Sequence, residues 1–84
     1  MTPSAEDLLS VLDQMIQQQQ RKVYILAVER VPGITLEESR NAHDYAALRQ
    51  DWAFNFEDGV LSGLISARMA LLAELYPTSS NWDL

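Results

Sequence analysis

The central part of the chain holds the side chains whose types suit metal chemistry. The single histidine, His43, is followed by Asp44, and further carboxylates stand on both sides of this pair. Oxygen-rich sets of this kind bind hard divalent cations, although the spacing here matches no loop motif such as the EF-hand. One hypothesis for function is therefore a divalent-cation site, particularly across a dimer, and the simpler alternative is a solvated acidic surface. The hypothetical site consists of His43, Asp44, Glu57 and Asp58.

Catalytic chemistry is not indicated by any other pattern. Glycine-rich phosphate loops and Ser-His-Asp arrangements are absent, and the lack of cysteine excludes disulfides and thiolate metal sites. General acid–base work needs a shaped, partly buried pocket, for which a small packed bundle leaves little room. We therefore predict neither an active site nor a cofactor.

The net charge of −6 arises from 12 acidic and 6 basic residues. Residues 32–58 carry −4 of it, whereas residues 1–31 and 59–84 carry −1 each. Nucleic acid is an unsuitable partner because phosphate binding needs clustered Lys and Arg, so basic protein surfaces or cations are the electrostatically favourable partners. The N-terminus is acidic and has no basic region of a signal peptide, which leads us to expect a cytoplasmic protein.

The rest of the chain is organised around residues 55–76, which we predict to form one helix. Asn55 is a favourable N-cap, and Glu57 and Asp58 place negative charge in the first turn, where the helix dipole favours it. Pro77 cannot continue the helix. Apolar residues lie on nearly every side of this helix, and a chain of 84 residues buries only about 60% of its unfolded surface. Self-association, most simply into a dimer, is therefore expected.

Two features of this helix bear on its packing. Arg68 at its middle, between short apolar runs, excludes a membrane span. Small residues recur at spacings of three and four, beginning at Gly59 and Gly63. Because two glycines inside a helix cost about 1 kcal/mol each relative to alanine, something is expected to fit against them. We predict that they make room for large side chains of the first helix, with a dimer contact as the alternative.

A first long helix is predicted over residues 3–30. Thr2 is assigned as its N-cap and Pro3 as its first residue, and it stops before Pro32. Residues 23–28 also favour a strand, but no comparable strand partner exists in the chain. The apolar seam expected to pack on the second helix consists of Leu9, Leu12, Ile16, Gln19, Val23 and Leu26.

The glutamines at 17–20 interrupt this seam. They are either a solvated stretch or, at Gln19, a buried polar residue that fixes the register. Antiparallel pairing of the two helices places Arg68 level with Gln18. We therefore predict that the Arg68 guanidinium donates to glutamine carbonyls, with an arginine that extends into water as the alternative.

The connection between the two helices contains signals of its own. Thr35 and Glu38 have the spacing of a capping box, and Asn41 or Asp44 is expected to cap a further turn. Tyr45, Leu48 and Trp52 would share one face of that turn, and Trp52, Phe54 and Phe56 alternate just before the predicted second helix. We interpret these aromatics as a plug over one end of the bundle, with a partner-binding surface as the alternative.

The sequence therefore predicts an all-α fold in which two long antiparallel helices are joined by a structured connection with one or two short helical turns. One helical domain spans residues 1–76, residues 77–84 form a tail, and two copies make a four-helix bundle. The expected function is that of a small, non-catalytic accessory or adaptor protein, which binds another protein through the acidic-aromatic connection or the tail. The expected partner-binding residues are Tyr45, Trp52, Phe54 and Trp82, and the expected packing or dimer residues are Gly59, Gly63, Arg68 and Gln19.

Overall fold

The computed structural model describes residues 2–77, and all regular structure in this range is helical. Two long helices, α1 (Ala5–Arg30) and α4 (Trp52–Leu75), pack along each other in opposite directions. The connection contains α2 (Leu36–Ser39), a 3-10 turn (Ala42–Asp44) and α3 (Ala46–Arg49). The predicted all-α helical hairpin with a structured connection is confirmed. No helix within residues 2–77 is both long and apolar enough to cross a membrane.

Helix α1 begins at Ala5, two residues later than predicted. Ser4 is the N-cap because its hydroxyl accepts from the Asp7 amide at 3.1 Å, while the Asp7 carboxylate accepts from the Ser4 amide at the same distance. This reciprocal pair satisfies two amides that lack partners inside the helix. The assignment of Thr2 and Pro3 to the helix start was therefore wrong. At the other end, Gly33 takes a positive φ of 87°, which glycine tolerates best.

Helix α4 begins at Trp52, and the prediction that Asn55 caps it was wrong. Asp51 is the cap, since its carboxylate accepts from the Phe54 amide at 2.7 Å. The same carboxylate accepts from Nε of Arg30 at the end of α1. Asn55 instead donates its side-chain amide to the carbonyl oxygen of Arg49 at 2.9 Å.

The earlier start places the three aromatic residues inside the helix. Residues two apart in an α-helix are rotated by about 200°, so Phe54 cannot share a face with Trp52 or Phe56. Phe54 is fully buried against α1 and the connection, whereas Trp52 and Phe56 point outwards. The predicted aromatic plug therefore consists of Phe54 alone.

The apolar core lies at the connection end of the hairpin. The predicted capping box is present in α2, where Thr35 and Glu38 exchange hydrogen bonds at 2.9 and 3.1 Å. The Tyr24 hydroxyl donates to the Ile34 carbonyl at 3.0 Å and so ties the connection to α1. The buried residues of this cluster are Val23, Ala27, Ile34, Leu48 and Phe54.

The register of α1 on α4 differs from the predicted one by more than a helical turn. Arg68 donates to Asp13 instead of the glutamines. The reason is the position of Asp51, since α4 starts earlier and is joined there to Arg30. Gln19 does lie between the helices, where its side-chain amide donates to Glu57.

The glycines of α4 face away from α1. A Cβ atom built at Gly59 or at Gly63 meets nothing within 4 Å. The prediction that these glycines make room for side chains of α1 was therefore wrong. A large residue at position 63 would not overpack the single chain, and the small-residue face lies on the outside of the hairpin.

The observed register predicts energetic coupling between Arg68 and Asp13. A double-mutant cycle combining Arg68→Leu with Asp13→Leu is expected to give about 0.2–1 kcal/mol in the free energy of unfolding, as for other solvent-accessible ion pairs. The control cycle combines Arg68→Leu with Gln18→Leu and is expected to give a coupling near zero. Coupling to Gln18 with none to Asp13 would contradict the register described here.

Candidate functional site

The most exposed large apolar side chain described is Trp52, which is 78% accessible in the first turn of α4. Its ring stacks on Phe56, with centroids 5.6 Å apart and planes inclined by 21°. Ile25 of α1 lies beside them and is also exposed. Trp52 and Phe56 are referred to below as the aromatic patch. They border a shallow depression of about 270 Å³ between α1 and α4.

The aromatic patch is positioned by the polar contacts at the start of α4. Asp51 fixes the first turn of the helix and is bound to Arg30. The hydrogen bond from Arg30, with that from the Phe54 amide, lowers the pKa of Asp51 below its usual value. The ionised carboxylate is therefore the favoured form, and it holds Trp52 at the outer side of the junction.

A second polar contact lies at Glu57, six positions after Asp51. The Gln19 side chain donates to the carbonyl oxygen of Glu57 at 2.8 Å and to its carboxylate at 2.9 Å, while Lys22 approaches the same carboxylate at 3.0 Å. The hydrogen bond from Gln19, with that from Lys22, lowers the pKa of Glu57 below 4.5. Gln19 is half-buried here, between α1 and α4.

The predicted partner-binding residues that the structure describes differ in how exposed they are. Trp52 is available on the surface. Phe54 is not, because it is fully buried in the core, and its assignment as a contact residue was wrong. Tyr45 is half-buried and donates its hydroxyl to Glu38 at 3.2 Å. Trp82 lies outside the described residues.

The predicted cation site is not assembled within one chain. His43 and Asp44 are both exposed, and Nε2 of His43 lies 3.8 Å from the Asp44 carboxylate. Glu57 is bound to Gln19 and Lys22. Among residues 2–77, no group of three or more metal-ligating side chains comes together.

A second heptad row on α1 was missed by the sequence analysis. The predicted seam packs on α4, and a parallel row one position earlier is exposed to solvent. Its apolar members are interrupted by Gln18 and Lys22, which weakened the signal in the sequence. The row consists of Leu8, Val11, Met15, Gln18, Lys22 and Ile25.

A matching row runs along the same side of α4. The 3.0 Å ion pair between Lys22 and Glu57 joins the two rows, and heptad spacing keeps them side by side along antiparallel helices. Leu71, near the end of this row, is exposed although it is large and apolar. The two rows together are called the heptad face. The α4 row consists of Ala53, Glu57, Val60, Leu64, Ala67 and Leu71.

A groove of about 420 Å³ lies on the other side of the seam, between α1, α2 and α4. This side groove has an apolar floor that includes Tyr24 and Leu61. Two arginines, Arg21 and Arg40, line its edge, together with Asp58. The pattern of apolar floor and charged edge suits a peptide segment better than a small polar metabolite.

Comparison of the chain with protein-family models, with curated proteins and with solved structures finds no match.

The lowered pKa of Glu57 predicts an acid-sensitive contribution to stability. Because the folded-state pKa lies below the unfolded value, the contribution is present above about pH 4.5 and is lost as pH falls through the folded-state pKa. Thermal melts of the wild type and Glu57→Gln are expected to differ at pH 7 and to converge once the pH falls below the folded-state pKa of Glu57.

The matched control for this measurement is Glu74→Gln, which removes an exposed carboxylate from the same helix. It is expected to melt at nearly the wild-type temperature at pH 7. A Glu57→Gln curve that stays parallel to the wild-type curve over the whole acidic range in which both proteins are folded would contradict the assigned role of the ionised carboxylate.

Proposed function

We propose that this chain is a small, non-catalytic adaptor that self-associates through the heptad face and binds another protein at its aromatic patch. The observation that carries the proposal is the heptad face itself. A helix with two adjacent heptad rows has two helical neighbours in a bundle, and α1 has one such neighbour in the single chain. A second copy supplies the missing neighbour for both helices.

The side chains of the heptad face favour covering of this face by a second copy of the chain over its exposure to water. Large apolar side chains, including Met15, Val60 and Leu71, are exposed along it. Exposed apolar side chains grouped along one face are typical of surfaces that bind another protein. Its charged members, Lys22 and Glu57, neutralise each other, so two copies meet without a net charge at the contact.

Gly63 supports the same arrangement. It follows Val60 by three positions and precedes Ala67 by four, so it borders the heptad face on α4. In the single chain, nothing approaches the site of its missing Cβ. The cost of a glycine inside a helix, about 1 kcal/mol, is then offset only if another backbone comes close in the assembly.

The aromatic patch is the surface proposed for a different protein. Tryptophan and its aromatic neighbours are frequent anchors of interfaces because they bury large area with few rotatable bonds. The adjoining connection is acidic, with residues 32–58 carrying −4. The partner surface that complements it has an apolar centre and basic residues around it.

Sedimentation of the wild type at micromolar concentration is expected to show a dimer. The variant Met15→Gln/Leu71→Gln places amides in the contact and is expected to sediment as a monomer that remains helical. In a permanently monomeric protein, the same exposed substitutions would change stability by no more than about 0.5 kcal/mol and would leave the mass unchanged.

The control variant is Val28→Gln/Met69→Gln. It makes the same kind of change at exposed apolar positions outside the two rows of the heptad face. This variant is expected to remain dimeric. A well-folded wild-type monomer, or equal loss of the dimer in both variants, would remove the proposed contact.

Binding of a partner is tested by comparing Trp52→Ser with Leu36→Ser, since Leu36 is also exposed but lies outside the aromatic patch. A protein captured from the host extract by the wild type and by Leu36→Ser is purified and titrated calorimetrically. Loss of an interface anchor costs about 2 kcal/mol or more, so Trp52→Ser is expected to weaken binding at least tenfold. Equal binding by both variants would exclude the patch. A changed sedimentation of Trp52→Ser would instead assign the patch to the dimer contact.

A further inference from the structure

We propose that a second copy of the chain covers the aromatic patch when no other protein is bound there, by laying its own α4 antiparallel along the outer side of this helix. The inference rests on the proposed function and deepens it, because it names what occupies the same patch in the chain alone. The outer side is the side turned away from α1, so this contact is separate from the heptad face.

A third heptad row runs along the outer side of α4. It begins with the two stacked residues of the aromatic patch and continues with glycine, serine and alanine at alternating spacings of four and three. Every member is exposed and none is charged. Trp52 and Phe56 are 78% and 56% accessible, so the large side chains of the row have no cover within one chain. This outer row consists of Trp52, Phe56, Gly59, Gly63, Ser66, Ala70 and Ala73.

The outer row is complementary to itself in the antiparallel direction. A two-fold axis at the level of Leu61 gives the longest overlap of the row with itself that covers both aromatic residues. Each aromatic side chain then meets a small residue, and glycines meet at the centre, where two backbones come closest. A two-fold contact requires such a self-complementary surface, because the same residues stand on both sides of it. The facing pairs are Trp52 with Ala70, Phe56 with Ser66, and Gly59 with Gly63.

Charges beside the outer row fit the same register. Glu74 comes level with the connection of the second copy, beside Arg49. Arg49 is exposed and donates to the carbonyl oxygen of His43 at 2.7 Å. Within residues 2–77, neither Glu74 nor Arg49 forms an ion pair, whereas the nearby Asp51 is already bound to Arg30. The antiparallel arrangement therefore brings unpaired opposite charges together at both ends of the contact.

The contact is small, which makes it reversible. The overlap from Trp52 to Ala70 is about 27 Å long, and a single pair of helices over this length buries less than the 1,200–2,000 Å², roughly, of a standard interface. Contacts below that size are typically transient. The outer contact therefore forms only at concentrations above those that dimerise the heptad face, and a protein with a larger contact at the patch displaces the second copy.

Disulfide trapping tests the register. The chain has no cysteine, so the introduced thiols react only with each other. Gly59→Cys is mixed with isotope-labelled Gly63→Cys at several hundred micromolar under mild oxidation, and both variants are expected to fold because a Cβ atom at either position meets nothing within 4 Å. The mixed disulfide is expected to form at least tenfold faster than either self-disulfide, because facing glycines lie within the range of about 4.4–6.8 Å between Cα atoms that a disulfide needs.

The control mixes Gly59→Cys with Ala73→Cys, which lies in the same row but does not face it. No excess of the mixed disulfide is expected in this pair. In the Met15→Gln/Leu71→Gln background, which removes the contact through the heptad face, Gly59→Cys and Gly63→Cys are still expected to give the mixed disulfide.

Sedimentation at several hundred micromolar tests the close approach of the two helices. The wild type is expected to gain mass relative to its micromolar state, whereas Gly59→Leu is expected not to, because the added side chain holds the two backbones apart. The control Ser10→Leu adds the same side chain at an exposed position of α1 outside the heptad face. It is expected to gain mass as the wild type does.

Two results would overturn the proposal. One is a mixed disulfide that forms no faster than the self-disulfides or than the product of the control pair. The other is a Gly59→Leu variant that gains mass as Ser10→Leu does. These readouts need neither another protein nor the heptad face, so failure here is distinguishable from failure of the proposed function.

Discussion

The contact on which the rest of the hairpin depends is the one made by Asp51. Its carboxylate caps α4 and is held by Arg30, 21 positions earlier, so one side chain sets both the start of α4 and its register on α1. The start determines which aromatic residues turn inwards, and Phe54 enters the core as a result. The same rotation places Trp52 and Phe56 outside, where they form the aromatic patch.

The register fixed at Asp51 also divides the apolar surface of α4. One side packs on α1, and the contacts of Gln19 with Glu57 and of Arg68 with Asp13 follow along it. A two-helix hairpin covers only a part of a helix that is apolar on nearly every side. What remains exposed is ordered into distinct surfaces, with the heptad face on one side of the seam and the side groove on the other.

Sequence patterns identified both long helices and the capping box at Thr35 because these signals are local and periodic. They did not locate the start of α4, since Asn55 and Asp51 are both good caps and each is followed by helix-forming residues. The deciding contact, with Arg30, joins residues far apart in the sequence. The heptad row from Leu8 to Ile25 was overlooked because Gln18 and Lys22 stand at apolar positions. Asp13 was not recognised as the partner of Arg68 because the register depended on the misplaced helix start.

The position of the core has a consequence for how the hairpin opens. The fully packed cluster lies at the connection end, whereas Leu8 and Leu75 at the opposite end are exposed. Local opening is easiest where few apolar contacts are buried, so the two helices separate first at that open end. Protection of backbone amides from solvent exchange is accordingly expected to fall along both helices from the connection end to the open end. In the proposed dimer, a second chain would cover Leu8 and Leu71 at this weaker end, and association would then be coupled to the closing of the hairpin.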